Sequence, residues 1–492
     1  MRQAIHIFLK DVRGHWYEIA ITLAVTAAFA FTGAMQSTFW RNGGQSRSLA
    51  SALLVYVLPL AWWILIARVI HSESLPGDRQ FWLTRPYRKS SLLGAKALLV
   101  LLCINVPMLI ADAIIVSAYD FPIAPMLPGL LWRQVLLTAV FILPAAALSA
   151  LTTGFVQLAL TLAAIGTGVL AWTFIAPGLN SDSGDLWFTL EWIRTYYQVL
   201  SAATAALAIV AWQYARRKTA VARILAVAAV ILIAAGIEWI SWPTAFWIQA
   251  LFSQRGFEEP AIAIHFDQKR SWSAGVLYEP HSVRLYIPLT VRGVPSGTQA
   301  MPIALTATIG APDRTSWKTT GDPPSNVASE GQLTALRTEV DKAFYERVKD
   351  QPVTIRGTLY FALFGHERIT RLAFQNQFVD VPGAGRCTAT QALTGQSYFV
   401  LCDSAFRSPK DFITMEWMDL RRNAGRATNP TLDRSGSPFP ADLGINPIYQ
   451  YSNYDVLQGP ASAADVHTME PLAYVKRDFE IDNLRLSDLE RH

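Results

Sequence analysis

Charge is scarce in this 492-residue chain: Asp, Glu, Lys and Arg make up 16% of it, against about 25% in an ordinary soluble protein. With 52% of residues apolar, the composition excludes disorder and a simple water-soluble enzyme. The shortage is uneven. Residues 1–250 hold 17 Lys and Arg with 10 Asp and Glu, whereas residues 251–492 hold 25 and 27. The first half reads as membrane and the second as water-facing. The net charge of +5 divides into +7 and −2 between the halves, so it is a membrane-flank signal and no pointer to nucleic acid.

Three cysteines are too few for a disulfide framework, and no C-x-x-C or paired Cys/His spacing suggests structural zinc. Catalytic motifs are missing as well. There is no G-x-x-x-x-G-K-[ST] phosphate loop, no H-E-x-x-H pair and no G-x-S-x-G elbow, and the eight histidines form no recognisable set. The chain is therefore read as a non-enzyme with no metal or cofactor of its own.

What is abundant is long apolar sequence. Seven runs can cross about 30 Å of hydrocarbon: 18–35, 51–70, 92–118, 131–152, 155–177, 197–214 and 224–242. Spans four and five meet at Thr152-Thr153-Gly154 and could form one re-entrant element, which makes the count six or seven. Seven spans place the termini on opposite sides. Thirteen Lys and Arg flank one side, from Arg2 to Arg223, and only Arg41, Arg47, Arg133 and Arg194 the other. By the positive-inside rule the N-terminus is cytoplasmic and residues 255–492 are exported. Span one, with its Ala28-Phe29-Ala30, can also be read as a signal peptide, although its long, acid-containing N-region favours an anchor.

Residues 1–17 have a helical period. Ile5, Phe8, Leu9, Val12 and Trp16 share a stripe beside Arg2, His6, Lys10 and Arg13, the layout of a helix lying in the membrane interface; a plain extension of span one is the alternative. In span three, Asn105 and Asp112 are seven residues apart on one face with Pro107 between them, a possible kink. Arg133 can reach Asp112, giving either a structural ion pair or a substrate contact.

The connection from Ser72 to Ser91 mixes basic side chains with large aromatics. Pro86 ends any helix that runs through Phe81 and Trp82. A solvated loop with interfacial aromatics is one reading of it. The run "DRQFWLTRPYRKSSLLGAK", with "HIFLKDVRGHW" near the N-terminus, resembles the permease subunits of ABC-2 type transporters. In that family a "KD-x-R" amphipathic start and an "FW-x-TRP" loop followed by "LL-x-x-K" recur. The resemblance implies a membrane subunit driven by a separate ATP-binding subunit, which would hold the ATP and Mg, and paired with a second permease copy or paralogue. It also implies that the loop carrying Asp78, Arg79, Phe81, Trp82, Thr84, Arg85 and Pro86 receives the ATPase. Many members have six spans, so a seventh span and an exported domain are departures, and the substrate does not carry over. A membrane-anchored sensor or envelope-assembly protein is the alternative.

Beyond residue 255 the sequence turns to short β-rich runs between turn residues: Pro260–Phe266, Val283–Val291, Pro302–Ile309, Val353–Phe364, Ile369–Val379, Ser397–Cys402 and Asp411–Met418. Gln332–Asp350 is expected to be a helix with Leu333, Leu336, Val340 and Phe344 on one face. The expected fold is a polytopic helical membrane domain of about seven spans followed by a sandwich-like β domain, with the last thirty residues a loosely held tail. Cys387 and Cys402 are centred on Thr394-Gly395, so a hairpin turning there sets them opposite each other. They form either a disulfide in an oxidising compartment or two buried thiols. Cys103, inside span three, is read as an apolar filler.

Overall fold

The structure, a computed structural model, describes residues 2–41, 49–72, 89–179, 191–216, 218–240, 242–266, 275–279, 281–321, 333–374, 377–391, 397–406, 411–419, 425–427, 445–456 and 461–491. Helices occupy the first half: α1 (Arg2–Gly14), α2 (Trp16–Arg41), α3 (Leu49–His71), α4 (Lys89–Val100), α5 (Val106–Ala118), α6 (Ile123–Leu137), α7 (Leu143–Leu151), α8 (Phe155–Leu179), α9 (Glu191–Arg216), α10 (Thr219–Trp239) and α11 (Trp242–Ala250). Among the described residues, five helical stretches are long and apolar enough to cross a membrane: Trp16–Ser37, Leu49–His71, Ser90–Ala118, Ile123–Leu151 and Trp192–Arg216. Two further apolar stretches, Phe155–Gly168 and Thr219–Ile233, are shorter. Phe31, Tyr56, Leu160, Leu200 and Ile224 are each more than half exposed on the bundle, an apolar exterior far larger than a water-facing protein shows.

The third and fourth stretches are built alike. Each is 29 residues long and each is interrupted by a five-residue π-helical segment, Leu101–Asn105 and Thr138–Ile142. A proline follows each segment at the second position, Pro107 and Pro144. Proline has no N–H to donate and clashes with the carbonyl four residues back, and a local π adjustment is one way a membrane helix re-pairs the backbone groups so freed. The kink expected at Pro107 thus takes the form of a π segment, and its counterpart lies beside it in the next span.

The second half is β. Its strands are β1 (Ala263–Phe266), β2 (Gly275–Tyr278), β3 (Ser282–Arg292), β4 (Gln299–Gly310), β5 (Ser316–Gly321), β6 (Leu333–Asp341), β7 (Val353–Ala373), β8 (Val379–Val381), β9 (Gly385–Gln391), β10 (Ser397–Ala405), β11 (Phe412–Asp419), β12 (Gly425–Ala427), β13 (Ile448–Val456) and β14 (Ala461–Leu484), with one helix, α12 (Lys342–Val348), after β6. They pair antiparallel in three sheets: β1, β2 and β6 around β3; β13-β10-β9-β8; and β12-β11-β14-β7-β4-β5. In β3, Val283, Leu285, Ile287, Leu289 and Val291 are fully buried, the period of two that a half-buried strand requires. They share a core with Leu305, Leu359, Val475 and Phe479 of the six-stranded sheet.

Two sequence expectations fail. Gln332–Asp350 is not one helix: Leu333–Asp341 is a strand paired with Ser282–Thr290, and the helix covers only Lys342–Val348. Thr338 and Val340 are buried at alternate positions, and Asp341 caps the short helix by accepting a 3.0 Å hydrogen bond from the Phe344 N–H. Strand pairing overrides the helical spacing of the leucines, and the capping aspartate marks the true start. Nor is the C-terminus a loose tail. Strand β14 runs 24 residues between β7 and β11, and the Leu486 and Leu489 side chains are buried. Tyr345 donates to Glu490 at 2.6 Å and Tyr278 donates to the same carboxylate; these bonds hold the Glu490 carboxyl below its usual range. The expected strands Val353–Phe364 and Ile369–Val379 are largely one continuous strand, β7.

Cys387 and Cys402 are joined by a disulfide across β9 and β10, their Cα atoms paired directly at 4.1 Å. That separation belongs to the close, non-hydrogen-bonded kind of antiparallel pair. Closing a loop of about 15 residues stabilises by about 3 kcal/mol in the chain-entropy model. Cys103 is buried and free.

Candidate functional site

Side-chain pairing divides the bundle into two ends. One gathers α1, the C-termini of α3, α7 and α9, and the N-termini of α4 and α10. There His71 lies 3.0 Å from the Thr152 hydroxyl, Arg223 donates to the Leu151 carbonyl at 3.1 Å, and Gln213 donates to Thr219 at 2.9 Å. The other end holds the α5–α6 turn, the start of α9 and all of α11, and the β region packs on it.

At the first end α1 docks on α4. Asp11 accepts a 2.7 Å hydrogen bond from the Lys96 ammonium, both side chains being about nine-tenths buried. Lys96 also donates to the Val69 carbonyl at 3.3 Å, in the last turn of α3. Ala4 meets Gly94 closely enough that a Cβ there would sit 3.8 Å away. The expected stripe divides between two surroundings. Ile5, Leu9 and Trp16 remain about half exposed, as an interfacial face would; Phe8 and Val12 turn against the bundle core beside the buried Ile7. Arg68 reaches Glu18 at 3.1 Å, tying α3 to the base of α2. Burial holds the His15 imidazole below its ordinary range, against the pull of Glu18 and Asp11. The Asp11–Lys96 pairing was not anticipated: both residues stand in the quoted strings, but 85 positions separate them. Asp78, Arg79, Phe81, Trp82, Thr84, Arg85 and Pro86 lie outside the described residues. Their flanks, His71-Ser72 and Lys89-Ser90, emerge from α3 and α4 beside this cluster.

Midway along the bundle, the Asn105 amide donates to the Thr138 hydroxyl at 2.8 Å, which joins the two π segments. Nearer the second end, Asp112 is fully buried and accepts 3.0 Å hydrogen bonds from Arg133 Nε and Gln134 Nε2. Asn105 and Asp112 thus share a face but serve different partners. Arg133 also donates to the main-chain carbonyl of Ile445, in the segment entering β13. Further ties join the β region to this end. Arg386 donates to the Tyr119 carbonyl at 2.8 Å and pairs with Asp120 at 2.9 Å, Gln450 donates to the Tyr119 hydroxyl at 3.2 Å, and Phe406 lies on α6 at Gly129. A Cβ at Gly129 would come within 2.9 Å of the Phe406 ring, so only glycine lets the ring lie so close. Ile445, Ile448 and Phe406 belong to the same buried cluster as the spans.

Chemically this arrangement provides a docked amphipathic helix at one end, a cap of β structure at the other, and a polar seam between spans three and four. No protein-family model matches the chain, and no curated protein matches it.

Proposed function

We propose that this chain is the membrane-spanning subunit of an ABC-2 type transporter in a bacterial plasma membrane, working with a separate ATP-binding subunit and a second permease copy or paralogue. The observation that carries this reading is the buried Asp11–Lys96 pair. It brings together the "KD-x-R" and "LL-x-x-K" segments on which the resemblance rests, beside the two chain ends that lead into the "FW-x-TRP" loop. Motion delivered to that loop by ATP-driven closure of the partner would enter α3 and α4 directly and pass through Asp11 to α1. In this reading α8 and α10 also cross, the N-terminus is cytoplasmic and the β region, a sandwich-like exported domain, lies outside. The Cys387–Cys402 disulfide supports that side, since disulfides persist in oxidising compartments.

Orientation is tested with a reporter active only outside the cytoplasm: a fusion after Arg255 should work and one after Lys218 should fail. Like behaviour of the two would overturn the exported β domain. Function is tested at the loop. Phe81→Ala with Trp82→Ala removes two aromatic anchors of the kind that dominate interfaces, a loss of about 2 kcal/mol or more, or roughly thirtyfold in affinity for the partner. Insertion should be near normal, because spans and flanking charges set it. Recovery of wild-type amounts of ATPase subunit, with wild-type stimulated hydrolysis, would leave the loop a linker and favour the sensor or assembly reading.

A further inference from the structure

A cavity of about 410 Å³ lies within the bundle between α3, α4, α7 and α9, in the size range of small-molecule sites. Each π segment supplies two of its wall residues, Leu101 and Asn105 from one and Thr138 and Ile142 from the other. The extra residue in each segment widens the helix where the two face each other, which is how a close-packed bundle comes to hold a void. The rest of the wall is almost wholly apolar, from Ile66, Val69 and Ile70 of α3 to Val210 of α9.

Three features define what would fit. First, the void opens sideways: Leu93, Leu101 and Leu207 line it and are also 37%, 50% and 56% exposed. These rim residues lie along α4, the first π segment and α9, on a surface that in a membrane meets lipid, so an occupant enters from the bilayer. Second, the cavity is electrically neutral. Lys96 forms part of its wall, but its ammonium is already engaged by Asp11 at 2.7 Å, and a second charge brought there would be desolvated without a partner. Third, one polar atom is unmatched. Asn105 donates to Thr138, while its Oδ1 is buried and has no hydrogen-bond partner. Turning the amide over exchanges which atom is unmatched but leaves one in either case.

From these we propose that the cavity is a binding site for a neutral, single-chain amphiphile drawn from the membrane. Its hydrocarbon chain lies along α4 and α9, and an uncharged hydroxyl, able to donate or accept, satisfies Asn105 between the π segments. The site does not depend on the transporter reading. A ligand there separates or joins the two π segments, so occupancy bears on the part of spans three and four that has a hydrogen-bonding alternative.

The test uses the full chain in phosphatidylcholine vesicles with two photoactivatable probes, diazirine-bearing hexadecanol and the matching hexadecane. The expected result is saturable labelling by the alcohol of peptides carrying Leu93–Leu101 and Leu207–Tyr214, competed by unlabelled hexadecanol, with the alkane labelling them at least fivefold less. Labelling around Phe31, on the outer face of α2, should be equal for both probes and not competed. Ala146→Phe, which fills the void, should cut the alcohol signal at least fivefold and leave the Phe31 signal alone. Asn105→Leu should abolish the preference for the alcohol. Wall labelling no stronger or more saturable than at Phe31 would overturn the site, and that arm needs no variant. Equal saturable labelling by both probes would overturn the hydroxyl-bearing ligand in favour of a bare lipid-chain slot.

Discussion

Arg133→Leu should destabilise the bundle by about 3–5 kcal/mol, the cost of stranding a buried charge by removing its partner. Asp112 has no exposed surface and accepts from Arg133 and Gln134, while its Oδ1 already has no hydrogen-bond partner. Without the guanidinium, one neutral amide faces a carboxylate in an apolar setting. The double variant Asp112→Leu with Arg133→Leu should recover most of the loss, because apolar pairs of similar volume replace buried ion pairs at little or no cost. Recovery should be incomplete, since Arg133 also donates to the Ile445 carbonyl, and the double variant leaves that acceptor unsatisfied. Thermal unfolding of the purified full chain in detergent checks both, read as a double-mutant cycle. If the single variant melts with the wild type, the pair is not the buried charge pair described. If the double variant is as unstable as the single one, the link to the β region outweighs the ion pair.

Much of this architecture is written in local signals. Hydropathy and the placing of Lys and Arg separate the helical half from the β half, because a span must be apolar throughout its own length and needs no partner to be recognised. The Asp112–Arg133 contact is legible for the same reason: two charges in adjacent antiparallel spans at matching depth have few alternatives. That Cys387 and Cys402 face each other follows from symmetry about one turn, whereas the choice of a bridge over two buried thiols comes from the structure. What is not legible depends on tertiary pairing. Strand β14 looks polar by composition, yet Val475, Phe479 and Ile481 are buried while Lys476, Asp478 and Glu480 alternate with them, a period of two hidden within a high charge density. Leu333, Leu336 and Val340 fit a helical spacing and a strand equally well over so short a window, and β3 decides between them. Pro107 announces a distortion, but that Thr138 would meet Asn105, and that a cavity would open between two π segments, depends on how spans three and four are staggered.

Lys96→Ala should release α1 from the bundle. Asp11 would keep its carboxylate in a site about nine-tenths buried with its cation gone, a penalty of about 3–5 kcal/mol for a pair broken on one side. A cheaper outcome is open to α1 than to a core helix: it joins the bundle along one face only, and Ile5, Leu9 and Trp16 already face outward. The helix can therefore swing off α4 and lie on the membrane surface by its apolar stripe, leaving the spans folded. Hydrogen exchange distinguishes the results. In Lys96→Ala, amides of Arg2–Gly14 should lose protection by a factor of tens or more while those of α5 and α7 keep theirs. Asp11→Lys with Lys96→Asp should restore a good part of it, since the charges are exchanged in place. Asp11→Leu with Lys96→Met should also hold α1 down, through apolar packing alone. That last variant separates docking from transmission. If α1 does no more than brace the bundle, then in the proposed transporter the apolar pair should support full ATP-driven turnover with the proposed ATP-binding subunit present. If the ion pair passes loop motion from α4 to α1, turnover should fall while protection of α1 stays near wild type. Unchanged protection in Lys96→Ala itself would mean that Asp11 and Lys96 do not hold α1 in place, and the two motif segments would then have no shared structural purpose.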